Sequence, residues 1–335
     1  MPPLYRSRAG AQRGELRGQG KVLRCNSSSG LGRRACPFLL AVWMTALPNA
    51  SARARGPSAA DGSAPVALNV MSDAELSAGF RLLYQLQFDP ARERFAKWER
   101  ERPSEPLGPA FEAASDLFEE FYRKGVLTSE FFLDDKRLLG GIKDKPDVPL
   151  ERQFASAVHR AESLARARLA KQPKDLDALF ALTLIAGMQA NDLFLIQKRQ
   201  IDSLHNLREA DRDARVLLGV APDTDDAYVA LGAANYILGC MPAYKRAMLW
   251  IGGVRGDKAL GMQQLARAAA SEHTHYLRPF ARLMLALAAL REKNSDLARQ
   301  QLQELTMEFP ENPLFAKELA KITPVMTGVS SHNTP

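Results

Sequence analysis

The residues whose types could do chemistry are a glycine-rich turn, a pair of histidines and two pairs of aspartates. In Gly252-Gly253-Val254-Arg255-Gly256-Asp257-Lys258 a turn running into a helix could offer amide N–H groups to a phosphate. A Walker loop needs Ser or Thr after its lysine, but Lys258 is followed by Ala259 and the glycine spacing is wrong. Arg255 and Lys258 are therefore read as parts of an interhelical turn. His273 and His275, with Glu272 beside them, could suggest a metal site. Histidines two apart do not share a helix face, and no further ligand pair is in sight, so they read as solvated loop residues. Asp134-Asp135 and Asp225-Asp226 lie beside expected helix starts, where carboxylates suit the macrodipole. Cys25, Cys36 and Cys240 form no C-x-x-C pair. No G-x-S-x-G or H-E-x-x-H motif occurs. The expectation is a non-enzymatic chain with no catalytic residue, cofactor or metal.

The elements that carry these residues follow from charge and pattern. The chain has 335 residues and a formal charge of +7. Residues 1–55 hold ten basic side chains against one acid, Glu15, a surplus of nine that leaves −2 for the remainder. A nucleic-acid-binding body needs its own basic patch, which a near-neutral body lacks, so no nucleic-acid partner is expected. Nor does any segment read as a membrane span of the mature chain, which takes roughly 20 apolar residues.

The N-terminus reads as an address. Arg33 and Arg34 precede the uncharged run from Phe38 to Leu47, and Ala50-Ser51-Ala52 follows. A basic flank, an apolar stretch and an A-x-A site are the three parts of a secretory signal. The expected organisation is a targeting segment over 1–52 cleaved near Ala52, a linker over 53–70 rich in Ala, Pro, Gly and Ser, a helical body over 71–323 and a tail over 324–335. That places the mature chain in the periplasm or outside the cell.

The body carries a repeat. Ala91, Ala161, Ala210 and Ala298 each stand 12 residues before a proline: Pro103, Pro173, Pro222 and Pro310. Gly79, Leu82, Ala91, Phe95 and Pro103, then Tyr228, Leu231 and Gly232, then Leu285, Ala286, Ala298, Leu302 and Pro310, resemble the tetratricopeptide repeat. The resemblance implies an all-α fold, a right-handed α-solenoid of degenerate tetratricopeptide helix pairs with inserted loops. Small residues on helix A let helix B approach, and the proline ends helix B. The 70 residues between Pro103 and Pro173 suggest two units, one degenerate. Inserts are expected at 125–150 and 238–257, and Ser72-Asp73-Ala74-Glu75 looks like a capping box. From Gly232 to Leu265, including Tyr236, Pro242 and Gly261, the sequence is also similar to the eukaryotic inclusion-body-clearance family of atypical tetratricopeptide proteins, which implies a non-enzymatic role.

In such arrays helix A lines a concave groove. The resemblance puts Phe80, Leu83 and Tyr84 there from the first unit, then Phe180, Leu184 and Met188, then Tyr236, then Phe280 and Leu283. That face is apolar, so it must be covered or used. Either the inserts fold into it, or it takes a hydrophobic ligand or a partner helix. The function expected is a scaffold for protein–protein interaction in the cell envelope. The alternative is a periplasmic binding module for an apolar ligand, serving a transporter.

Overall fold

The computed structural model describes residues 73–244, 246, 247 and 255–323. The targeting segment, linker and tail assigned from sequence lie outside them, as do Ser72 and residues 248–254. Every regular element among the described residues is a helix. α1 (Ala74–Tyr84) pairs with α2 (Phe88–Glu101). α3 (Leu107–Arg123) is followed by two short helices, α4 (Ser129–Leu133) and α5 (Asp135–Gly140), before its partner α6 (Val148–Lys171). α7 (Leu176–Asn191) runs into a π-helical turn, Asp192–Ile196, and pairs with α8 (Gln200–Val220). α9 (Ala227–Cys240) pairs with α10 (Lys258–Ala270), α11 (Arg278–Arg291) with α12 (Ser295–Glu308), and α13 (Pro313–Ile322) caps α12. The result is an all-α array of antiparallel helix pairs with inserted loops.

The repeat residues explain the pairing. Pro103, Pro173, Pro222 and Pro310 each fall two residues past the end of a second helix, α2, α6, α8 and α12. Proline has no N–H to continue the ladder and clashes with the preceding turn, so each helix stops before it. Ala91, Ala161 and Ala298 are 0% exposed, and Ala210 is 4%. Gly79 lies so close to the Phe95 ring that a Cβ there would stand 2.3 Å from it. Asp175, Asp257, Asn294 and Asn312 accept backbone N–H bonds as caps of α7, α10, α12 and α13.

Two expectations are corrected. The stretch between Pro103 and Pro173 holds one helix pair, α3 and α6, split by the α4–α5 insert, instead of two units. The cap of α1 is Asp73, whose Oδ1 accepts from the Glu75 and Leu76 amides, while the Glu75 carboxylate pairs with Arg94.

The first and last pairs touch. The Asp73 amide donates to the Tyr276 hydroxyl at 3.0 Å, and the Tyr84 hydroxyl donates to the Tyr276 carbonyl at 3.1 Å. Asn312 Nδ2 donates to the Tyr84 carbonyl at 2.7 Å. The α4 insert reaches the C-terminal helices as well: Arg291 donates to the Phe132 carbonyl, the Ser129 amide donates to Glu318, and Lys321 pairs with Glu130.

One stretch, Leu176–Ile196, is long and apolar enough to cross a membrane by length and composition, contrary to the sequence reading that none is. It is α7 with its π turn, and most of it is buried among the other helices.

Candidate functional site: an apolar interior cavity

The first helices of the pairs converge on a cavity of about 160 Å³. α1 supplies Phe80, Leu83 and Tyr84, and α3 supplies Leu117, Phe118 and Phe121. α7 and the π turn supply Leu184, Met188, Phe194 and Leu195. α9 contributes Ile237 and Leu238, and Met241 follows it; Leu277 and Phe280 come from the start of α11. α8, a second helix, also contributes, through Ser203, Leu204 and Leu207.

The space exists because small residues stand where large ones would fill it. Gly187 and Ala190 on α7, Ala210 on α8, and Ala230, Ala233 and Ala234 on α9 all face it. A Cβ added at Gly187 would meet nothing within 4 Å. The polar side-chain groups in the lining are those of Tyr84, Asn191 and Ser203; the Tyr84 hydroxyl donates to the Tyr276 carbonyl and the Ser203 hydroxyl to the Gln200 carbonyl. A hydrocarbon-lined space can hold an apolar group through dispersion and release of water. A ring-sized ligand buries about 200 Å², worth about 5 kcal/mol at ~25 cal/mol/Å². Before association costs, that corresponds to a Kd of a few tenths of a millimolar.

Of the groove residues expected from sequence, Phe80, Leu83, Tyr84, Leu184, Met188 and Phe280 lie in this lining. Phe180, Tyr236 and Leu283 do not; each is at most 1% exposed and packed in the core. Phe180 stacks on Tyr276 and meets the edge of Phe111. The Tyr236 hydroxyl donates to the Ala288 carbonyl and to Glu292, which ties α9 to α11. Phe180 and Leu283 lie one turn along their helices from the lining residues Leu184 and Phe280, and Tyr236 lies one position round from Ile237. Arg255 is exposed, while Lys258 pairs with Glu292 at 2.8 Å. The turn before α10 is pressed against α9, since a Cβ on Gly256 would stand 2.3 Å from Leu238. The α4–α5 insert does not enter the cavity; of the described residues of the insert at 238–257, Leu238 and Met241 do.

Sequence reasoning missed the α3 wall. α3 carries Leu107-Gly108 with Phe111 after it, and its Ala114, Leu117, Phe118 and Phe121 form an apolar stripe at helical spacing; these could have revealed it.

Behind the π turn lies a second, much smaller space of about 10 Å³, lined by five carboxylates: Asp116, Glu120, Asp147, Glu151 and Asp192. Arg92 holds Asp116 at 3.2 Å and Glu119 at 2.6 Å, and Arg123 holds Asp147 at 2.9 Å. Glu120 Oε2 is buried and has no hydrogen-bond partner. Burial pushes the Asp116 carboxyl up to about 7, against the pull of Arg92 and with Glu112 and Glu119 adding to the rise. Burial likewise pushes Asp192 up to about 6; Gln197 opposes this, and Glu151 and Glu120 reinforce it. Among the described residues no three His, Cys, Asp or Glu side chains converge closely enough to hold a metal ion.

No family model and no curated protein matches the sequence. Among solved structures the chain is similar to a thermophilic TPR protein of Thermus thermophilus, at 16% identity and a TM-score of 0.41, over 74% of this chain and 96% of that one.

Proposed function

We propose that the chain is a non-enzymatic helical-repeat binding protein that holds an apolar ligand in its interior cavity, in the periplasm or outside the cell after cleavage near Ala52. The observation that carries this reading is the cavity of about 160 Å³, walled by aromatic and aliphatic side chains and left open by a run of alanines. An apolar cavity of about 150 Å³ in a protein interior binds a benzene-sized ring. The space is partly open to the surface, and its narrow part is on the scale of a single ring, which favours a small ligand. Export rests on the Arg33-Arg34 flank, the Phe38–Leu47 run and the Ala-x-Ala site. Service to a transporter is part of the same reading. The likeness of the Gly232–Leu265 segment to the inclusion-body-clearance family lends it no function.

A protein-interaction scaffold is the second reading, and it would use the outer helix faces. Ile201, Met307 and Tyr244 favour it, at 83%, 74% and 66% exposed.

Purification from the native host followed by solvent extraction and native mass spectrometry separates the two. The expected result is an apolar compound released from the protein, with a mature chain that begins near Arg53. Substituting Leu for Ala233 should fill the cavity, raise the melting point and abolish uptake of an added apolar probe such as indole. Indole binding that Ala233→Leu leaves intact, or a native protein that carries polypeptide and no small molecule, sinks the ligand reading. A mature chain that begins near Met1 sinks export.

A further inference from the structure

This inference rests on the reading of the interior cavity as a ligand site. One five-residue segment separates the two spaces. In the π turn Asp192–Ile196, Phe194 and Leu195 face the apolar cavity, while Asp192 and Ile196 face the acidic pocket. Leu117 on α3 lines both spaces. We propose that the acidic pocket is a proton-operated control on the apolar cavity: proton uptake at Asp192 seats the π turn, and with it the Phe194–Leu195 wall, in the form that grips the ligand.

The turn is built to have a second position. π turns recur at functional sites because they replace regular hydrogen bonds with a local, adjustable bulge. The exit from this one passes through Lys198 at φ +58°, a left-handed conformation that costs a non-glycine residue energy. The turn is held from outside by two backbone bonds of 2.7 Å, from the Ile142 amide to the Leu195 carbonyl and from the Arg199 amide to the Leu193 carbonyl.

The charges around Asp192 set the sign. From α3 it faces Asp116 and Glu120, and from the start of α6 Asp147 and Glu151. The cations within reach are engaged with those neighbours. Arg92 holds Asp116, Arg123 holds Asp147, and Lys124 stands 4.0 Å from Glu120. From α5 and α8, packed on the other sides of the turn, no charged side chain lines the pocket. Asp192 is 6% exposed, and its one side-chain partner is the neutral Gln197 amide at 2.6 Å. Ionised, it is a buried anion beside two more carboxylates, Glu120 and Glu151, and is driven toward water, which pulls on the residues two and three positions along. Protonated, it rests where it is. Burial lifts its titration into the mildly acidic range, up to about 6.

The test titrates indole, which is neutral throughout, into the full chain by calorimetry between pH 5 and pH 8. The wild type should bind about tenfold more tightly at pH 5, the weight of one pKa unit of coupling. Asp192→Asn should bind at the tight value at every pH. Glu151→Gln, at the half-exposed edge of the pocket, should move the transition to lower pH, and it serves as the test if Asp192→Asn fails to fold. Indole binding that is abolished by Ala233→Leu, yet equal at pH 5 and pH 8 in the wild type, overturns the proton control and leaves the cavity reading standing. The same pH dependence in Asp192→Asn as in the wild type also overturns it. Absence of indole binding at every pH overturns the cavity reading and the control together.

Discussion

Asp226 shows what single residues contribute. It is 0% exposed, and its two oxygens accept from the amides of His275, Tyr276 and Leu277 at 2.7–3.1 Å, so it anchors the entry to α11. An amide nitrogen in place of one oxygen would face a donor, so Asp226→Asn should cost about 2–3 kcal/mol, read as a lower urea midpoint. Sequence had placed Asp226 beside a helix start, which is right for α9, but its three acceptor bonds go to a segment about fifty residues onward, which no local pattern reveals. His273 and His275 were legible: both are exposed loop residues. The buried carboxylates were not, because burial of an acid depends on which helices surround it. Asp116, Asp177 and Asp192 are held up to about 7, 7 and 6 by burial, above the ordinary value of 3.8. In the unfolded chain they release protons near pH 4, so between about 4 and 7 the folded form binds more protons. Their contribution is full below the unfolded value and is lost as pH rises through 6–7. The melting point should therefore be higher at pH 5 than at pH 8, by roughly 5 °C if the net linkage is about 2 kcal/mol. Equal midpoints by calorimetry would count against the buried placement of these acids.

At the scale of elements, the proline register was legible because a missing N–H acts locally: four prolines fixed four helix ends. What failed was pairing. The α3–α6 pair carries Leu107-Gly108 on its first helix, but its two helices are separated by α4 and α5, so spacing alone suggested an extra unit. Of the residues expected in the groove, Phe180, Tyr236 and Leu283 are packed in the core away from the cavity. Helix–helix distance gives a sharp test. α9 and α10 approach at Gly232 and Gly261, where a Cβ on Gly261 would stand 2.5 Å from the Tyr236 amide nitrogen. Gly187, by contrast, faces open space. Gly261→Ala should destabilise by about 1–3 kcal/mol, since backbone has to move. Gly187→Ala should stabilise by up to about 1 kcal/mol through helix propensity. The same substitution should thus have opposite signs in two helices of one array, checked by urea unfolding of both variants; equal signs would mean that the α9–α10 contact is looser than described.

At the scale of the molecule, the contact between first and last pairs changes how the array should respond to stress. In an open repeat array each unit touches only its neighbours, and the ends fray first. Here α1 is a terminal helix of the described body, but it is tied to the far end by Tyr276, by Asn312 and by ring contacts from Tyr84 to Phe309 and from Phe80 to Tyr276. Tyr276 is the hub: 1% exposed, it also contacts Phe111 on α3 and Phe180 on α7. Opening α1 therefore means breaking contacts that also hold α3, α7 and the start of α11, so its amides should exchange nearly as slowly as those of α7. Truncating the hub should separate the two. In Tyr276→Ala the lost ring and hydroxyl leave a cavity worth about 3–5 kcal/mol and release the Asp73 amide. Hydrogen exchange by mass spectrometry should then show α1 losing protection by a larger factor than α7, with α12 and α13 following through Asn312. Uniform loss across all helices would mean that Tyr276 is only one more core residue. Fast exchange of α1 in the wild type would mean that the ends are not joined, and the cavity they help enclose would be open to water along that side.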